Sequence, residues 1–349
     1  MLNIHGEMFM KNVNLLAIDI AKINFQLHGV DLTGNIVLRK NLTRNKLIEY
    51  ISNLPSCTIA MEACGGANFW ARKFTQFGHT VKLISPQFVK PFVKTNKTDR
   101  NDAEAICESA SRPSMRFVNP KTIEQQDVQS LHRVRSLIMQ ERTALSNQIR
   151  GLLSEYGITI VQGIHNLTKC LPNILTDEET ELSTLSKMIF RDLYEQILLK
   201  TKKIEEYDKL IEAVFKQNID CQKIAQIEGV GILTATALIA CIGDINIFKN
   251  GRHLSAYLGL VPKQHSSGNK QKLLGISKRG SVYVRSLLIL GAKAAIRSAA
   301  KKSDRKSNWI KEIQKRRGNN IATVALANKT ARTIWEILKN NSNYAVIAA

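Results

Sequence analysis

Val13-Asn14-Leu15-Leu16-Ala17-Ile18-Asp19-Ile20 is an apolar run that ends near an acid, the pattern of a buried strand with a carboxylate at its tip. Residues 23–30 and 35–39 predict two more strands, joined across the turn-rich hairpin connection Asp31-Leu32-Thr33-Gly34-Asn35. A helix around 44–53 leads to a fourth strand, Thr58-Ile59-Ala60-Met61-Glu62, with a second acid at its end. The pattern continues with a helix over 68–77, a strand over 80–84, a helix near 86–94 and another starting around 100. Three consecutive strands of antiparallel type, then alternating helices and strands, is the order of an α/β RNase H-like domain. In that fold the first and fourth strands are neighbours, which would set Asp19 beside Glu62.

Two further acids sit three apart in Lys97-Thr98-Asp99-Arg100-Asn101-Asp102-Ala103, at an expected helix start, where that spacing turns them to one side. Hard divalent cations prefer carboxylate oxygens, and two ions about 4 Å apart stabilise the attacking and leaving oxygens of an in-line phosphodiester displacement. Clustered carboxylates also repel, by about 4 kcal/mol per pair at 4 Å and an effective dielectric of 20, and a bound cation relieves this. Asp19, Glu62, Asp99 and Asp102 are therefore candidate metal ligands. Taken singly, each has a plainer alternative: Asp99 as a helix N-cap, Asp102 as part of its first turn, Asp19 and Glu62 as ordinary strand-end acids. Lys22, Lys97 and Arg100 either contact phosphates or balance these acids.

Beyond residue 121 the character becomes helical. A long helix over about 122–156 repeats Leu131, Ile138, Leu145 and Leu152 every seven residues, with Val128 and Ile149 on the partner seam, interrupted by Arg135 and Arg142. A second, over about 182–217, repeats Phe190, Ile197, Ile204 and Ile211. The two are expected to pair as an antiparallel hairpin, with self-association as the alternative, and the stretch between them, containing Gly157, Gly163 and Pro172, reads as irregular. Ile227-Glu228-Gly229-Val230-Gly231 before an apolar helix to Ile242 resembles the turn of a helix-hairpin-helix, whose glycines let backbone N–H groups approach a phosphate. Helical patterns then run over about 279–300 and 319–340.

The chain of 349 residues carries a formal charge of +21, and from Lys249 onward 21 Lys and Arg face only three acids. Such a stretch attracts phosphate backbones by counterion release; about 6–10 phosphate contacts make affinity fall by roughly 10³–10⁵ between low and moderate salt. An anionic membrane surface is the other natural partner, but no lipid-anchor pattern accompanies the charge. The six cysteines are scattered without a Cys-x-x-Cys pair and the seven histidines show no ligand spacing, which speaks against a zinc site. With no signal peptide and no apolar run near twenty residues, the expected compartment is the reducing cytoplasm. Met8 and Met10 are alternative starts, so residues 1–11 read as a leader.

Gly259-Leu260-Val261-Pro262-Lys263-Gln264-His265-Ser266-Ser267-Gly268, followed by Gly275-Ile276-Ser277-Lys278-Arg279-Gly280 and Arg285, sits in the basic region. On physics alone a Ser-Ser-Gly loop is a turn with capping hydroxyls. A serine nucleophile needs activation and an electropositive setting, and only the setting is visible.

Ala17-Ile18-Asp19-Ile20-Ala21-Lys22, Met61-Glu62-Ala63-Cys64-Gly65-Gly66, the Asp99–Asp102 segment and the Ser-Gly to Ser-Lys-Arg-Gly block together resemble one family, in order and with similar spacing from about residue 12 to 340. It is the DEDD-type transposases of the insertion-sequence one-ten group, with its eleven-eleven subgroup, understood as RNA-guided bridge recombinases. The resemblance implies that Asp19, Glu62, Asp99 and Asp102 bind magnesium, with manganese as the alternative, in a RuvC-like domain over 12–120. It implies a coiled-coil segment over 121–220 and a transposase domain over 221–349. Ser267, five residues after Pro262 and directly before Gly268, matches the family serine that attacks DNA and becomes covalently linked to it; Ser266 is the other register. Ala17 stands where the family often has glycine, Glu228 where it commonly has proline, and the stretch after Gly268 is a residue shorter than in some relatives.

The implied chemistry is strand exchange at the ends of an insertion sequence, with the serine linkage conserving phosphoester energy. The implied partners are DNA, a structured non-coding guide RNA that pairs with it, and further copies of the chain in a dimer or tetramer with a composite site. The lack of a zinc finger or clear helix-turn-helix accords with specificity carried by RNA. Two rivals stand: a RuvC-like hydrolytic nuclease or junction resolvase that uses the acids and water without a covalent intermediate, and a non-enzymatic architectural DNA-binding protein.

Overall fold

Burial of both faces of the central strands sets the architecture of the N-terminal part. In a computed structural model describing residues 12–94, 98–268 and 270–344, the chain divides into two compact units, one up to Ile123 and one from Glu124. The leader 1–11 and Lys97 lie outside the described residues. In the first unit β1 (Leu15–Asp19), β2 (Asn24–Val30), β3 (Ile36–Thr43), β4 (Thr58–Glu62), β5 (Thr80–Ile84) and β6 (Phe117–Val118) form one mixed sheet in the order β3-β2-β1-β4-β5-β6. β1 runs antiparallel to β2 and parallel to β4. The predicted neighbourhood of the first and fourth strands is present.

Side chains alternate across a strand. Leu16, Ile18, Ile59 and Met61 therefore face one layer, where Leu47 and Ile51 of α1 (Arg44–Ser52) and Trp70 and Phe74 of α2 (Ala67–Gln76) cover them. Leu15, Ala17, Ala60 and Ile84 face the other. They meet Ala105, Ile106 and Ala110 of α4 (Asp99–Ser111) and Val89 of the short α3 (Pro86–Val89). Ala17 and Ala60 are wholly buried, and their small size lets α4 lie close to the sheet. The expected helix over 86–94 is shorter, passing at Lys90–Phe92 into a single 3₁₀ turn around Pro91. The two-residue β6 is too short to leave a pattern in the sequence.

In the second unit, α5 (Ile123–Ser154) and α7 (Thr184–Gln217) pair antiparallel, held by Arg135 to Asp208 (2.5 and 3.1 Å), Lys200 to Glu141 (2.7 Å) and Arg142 to the Thr201 hydroxyl (3.2 Å). The two arginines that interrupt the seam are thus its polar cross-links. All four α7 seam residues, Phe190, Ile197, Ile204 and Ile211, are buried. On α5 the strict seven-residue repeat fails toward the C-terminus, where Leu152 is exposed and Leu153 takes its place. A straight helix drifts by about 20° per heptad, which moves the buried stripe by one position over that length.

The stretch read as irregular contains a helix, α6 (Ile164–Thr176), with Pro172 inside it. Leu167, Leu171 and Leu175, spaced four apart, bury against Leu145, Ile149, Leu153 and Phe190. Burying such side chains at about 1.5–3 kcal/mol each outweighs the roughly 3 kcal/mol that an interior proline costs. α8 (Ile219–Ala225), α9 (Ile232–Ile242), α10 (Gly251–Tyr257), α11 (Val282–Ala299), α12 (Arg305–Arg317) and α13 (Asn319–Lys339) enclose the largest buried cluster. α12 left little apolar pattern because only Ser307 and Ile310 of its thirteen residues are buried. Between α10 and α11 a two-stranded ribbon, β7 (Pro262–Ser267) and β8 (Lys270–Ile276), stands exposed along nearly its whole length. Among the described residues no helix is long and apolar enough to cross a membrane.

Candidate functional site

The period of two along β1 and β4 that sends Ala17 and Ala60 toward α4 sends Asp19 and Glu62 the same way, two residues on, at adjacent strand ends. α4 begins at this edge of the sheet. Its N-cap is Thr98, whose hydroxyl accepts from the Asn101 N–H at 3.3 Å, so Asp99 is not the cap that the plainer alternative supposed. Both aspartates lie in the first turn, where the helix dipole favours negative charge. One carboxylate oxygen from each of Asp19, Asp99 and Asp102 lies within 4.8 Å of the others. Glu62 is not part of that cluster, but its charge still reaches Asp19. Burial, and after it the charges of Asp102, Asp99 and Glu62, push the Asp19 pKa up to about 6. Lys22 and Arg100 are both exposed.

Ser267 belongs to the second unit. It is the last residue of β7, with Gly268 entering the turn at φ +55°, so the serine segment is a strand end. Ser266 accepts a hydrogen bond from the Gln264 amide at 2.8 Å. The base of this ribbon is locked. Ser277 N–H donates to Val261 C=O (2.7 Å), and Lys278 N–H to Gly259 C=O (3.1 Å). Gly259 and Gly280 let the two chain segments cross: a Cβ on either would come within 2.3 Å of a backbone oxygen of Arg279 or Tyr257. Arg285, buried, donates to the carbonyls of Arg279 (2.6 Å) and Leu258 (3.3 Å). The glycines and arginine around Ser267 in the sequence thus build its support.

The glycine turn before α9 has a role that its sequence pattern did not reveal. Gly229, at φ +90°, rests on Gly291 of α11, and a Cβ on Gly291 would fall 1.8 Å from the Gly229 oxygen. The pair packs the turn against a helix. Glu228 is likewise engaged internally, with Lys302 at 2.7 Å, Lys306 at 3.7 Å and the Ser298 hydroxyl. Sequence reasoning also missed His132, which bridges the Thr236 hydroxyl (3.0 Å) and the Tyr283 hydroxyl (3.1 Å) and so ties α5 to α9 and α11. It lies one position off the predicted seam, so no periodicity marked it. A cavity of about 1130 Å³, lined by Leu260, Leu274, Trp309 and Ile321 among others, is mainly apolar and contains none of the five predicted site residues.

Carboxylates gathered at a sheet edge, with a cation-rich helical unit on the same chain, define a class: enzymes that act on the phosphodiester backbone of nucleic acid. Residues 16–158 match the IS110-type DEDD transposases, and residues 221–307 match the family described as Transposase IS116/IS110/IS902. The chain is similar to the transposase for insertion sequence element IS1111A of Coxiella burnetii, at 49% identity over 96% of this chain and 92% of that one. It is also similar to the transposase for insertion sequence element IS1328 of Yersinia enterocolitica, at 40% identity over 94% and 97%. The chain belongs to the IS116/IS110/IS902 transposase family, enzymes that cleave and rejoin DNA, and the DEDD family implies use of a divalent metal.

Proposed function

We propose that this transposase moves its insertion sequence by metal-assisted cleavage and rejoining through a serine–DNA covalent intermediate, with Asp19, Glu62, Asp99 and Asp102 as metal ligands in a RuvC-like domain and Ser267 as nucleophile. The observation that carries the metal site is the meeting of Asp19, Asp99 and Asp102 within 4.8 Å. The donor set fits a hard cation: it is all carboxylate oxygen, and the carboxylate repulsion that adds to burial in raising the Asp19 pKa is what a cation would relieve. Glu62, on the same face at the neighbouring strand end, completes the set. Magnesium, or manganese in its place, would supply charge stabilisation at the scissile phosphate.

The protein's own groups do the rest. Ser267 Oγ attacks phosphorus, a P–O bond to a sugar oxygen breaks, and the resulting phosphoserine keeps the ester energy for rejoining to another DNA end without nucleotide hydrolysis. The positively charged stretch from Lys249 onward holds DNA and a structured guide RNA through their phosphates. Leu185, Met188, Leu198 and Leu199, exposed on α7, support self-association through the long helices as a coiled-coil segment.

The test is to isolate protein under denaturing conditions from cells carrying the whole element with its flanking non-coding sequence, and to look for attached DNA in wild type, Ser267→Ala and Asp102→Asn. An adduct at element ends, lost in both variants, is the expected result. Strand cleavage without an adduct, unchanged in Ser267→Ala, would make the protein a hydrolytic nuclease.

A further inference from the structure

Strand register sorts the ribbon's side chains into two chemically different faces. Residues directly opposite in an antiparallel pair share a face, as do residues two apart along a strand. His265 pairs with Lys272 and Ser267 with Lys270, so these four stand on one face. Gln264 pairs with Leu273 and Ser266 with Gln271, so these four stand on the other. The 2.8 Å bond from Gln264 to Ser266 agrees with that division. One face thus carries a hydroxyl, an imidazole and two ammonium groups, while the other is uncharged. No acid occurs anywhere between Pro262 and Ile276, and every residue of β7 is exposed. The chemistry of the face suits a phosphodiester: two cations for its oxygens, a hydroxyl to attack and a base beside the hydroxyl.

We propose that this face is the site where the scissile DNA phosphate docks, with Lys270 and Lys272 holding its oxygens and His265 accepting the Ser267 proton. This rests on Ser267 as nucleophile and adds the group that activates it. As the Oγ–P bond forms and the P–O bond to the departing sugar oxygen breaks, the Oγ proton passes to the neutral imidazole, and the departing oxygen takes a proton from solvent. The imidazolium later returns its proton to solvent, so the exchange consumes neither protons nor an external energy source. Opposite Cβ atoms in such a pair are about 4.5–5.5 Å apart, which puts the Lys270 ammonium within reach of a phosphate bonded to Ser267. The face also selects between the two serines. Ser267 shares it with three basic side chains, whereas Ser266 stands on the other face beside two amides.

The test follows formation of the covalent adduct with element-end DNA over time, using full-length protein with the element's non-coding RNA. His265→Ala is expected to slow the adduct by about 10²–10³-fold, in the range of general-base effects, and added imidazole to restore part of the rate. Lys270→Ala and Lys272→Ala are expected to slow it and each to reduce the log–log salt slope of DNA binding by about one. Gln264→Ala and Gln271→Ala, on the opposite face, should change neither. All these positions are exposed, so melting temperatures should match wild type and separate chemistry from misfolding. An unchanged rate in His265→Ala, or a loss that imidazole does not rescue, overturns the proton role; unchanged salt slopes and rates in the lysine variants overturn the phosphate role. If instead the adduct persists in Ser267→Ala, the serine assignment itself is wrong, and that outcome is distinct from the others.

Discussion

Two effects act on Asp19 in one direction. Burial and three neighbouring carboxylates both disfavour its charge, so its pKa in the folded protein, about 6, lies above the ordinary carboxylate value. Between those two pH values the folded state binds a proton that the unfolded state has lost. Stability of the metal-free protein therefore falls as pH rises through this window, and the cost stays in place above it. Asp19→Asn should raise the melting temperature of metal-free protein at pH 8, remove the further rise expected of wild type on adding magnesium, and abolish DNA cleavage. A lower melting temperature in that variant would show that the carboxylates are not in net repulsion. Thr98→Ala tests the scaffold: losing the cap should cost about 1 kcal/mol in denaturant unfolding and weaken magnesium binding, because Asp99 and Asp102 ride on the turn it fixes.

Elements are joined in this protein by close approaches as much as by apolar stripes. The Gly229–Gly291 contact leaves no room for a methyl group on either side, so Gly291→Ala must push α11 away from the turn before α9. A loss of about 1–3 kcal/mol is expected, read from the denaturation midpoint; an unchanged midpoint would mean that the helix shifts without penalty. In the middle helices sequence pattern and structural role diverge. Arg135 and Arg142 look like faults in an apolar seam, yet Arg135 makes a two-pronged pair with Asp208 and Arg142 reaches Thr201. Pairing of this kind specifies the register of two long helices. The serine ribbon is the opposite case. It buries almost nothing, and its position is set by the crossing at Gly259 and Gly280 and by Arg285 beneath.

For the molecule as a whole, charge and one buried histidine set the response to solution conditions. His132 is almost wholly buried, and burial, then the Arg135 charge, lower its pKa to about 4. Between the ordinary value of 6.5 and about 4 the unfolded chain takes up a proton that the folded chain refuses. The stability is therefore fully present above pH 6.5 and is lost as pH falls toward 4, by an amount on the order of 2–3 kcal/mol. His132→Gln, which keeps hydrogen-bonding atoms but does not titrate there, should flatten the dependence of the unfolding midpoint between pH 7.5 and pH 5. DNA binding should respond to salt, with affinity falling by roughly 10³–10⁵ between 50 and 200 mM if about 6–10 phosphates are contacted. A shallow slope, measured by titration at several salt concentrations, would show that the C-terminal excess of Lys and Arg is mostly solvated surface.

The order of β1 to β5 and the helices between them, the two long helices and the concentration of positive charge were legible in the sequence alone. These follow from local periodicity and composition, which tertiary context did not override. The pairing of the first and fourth strands, and with it the neighbourhood of Asp19 and Glu62, was also legible, because the element order is that of an RNase H-like fold, in which those two strands are neighbours. Only the tertiary structure decided which acids meet, that Thr98 and not Asp99 caps the helix, and that Gly229 exists for Gly291. Only it showed that the stretch around Pro172 is helical and that Ser267 shares a face with His265 and two lysines. Each of these depends on a partner distant in sequence or across a strand pair. Such contacts are fixed by packing and register, which a periodicity read along one segment does not encode.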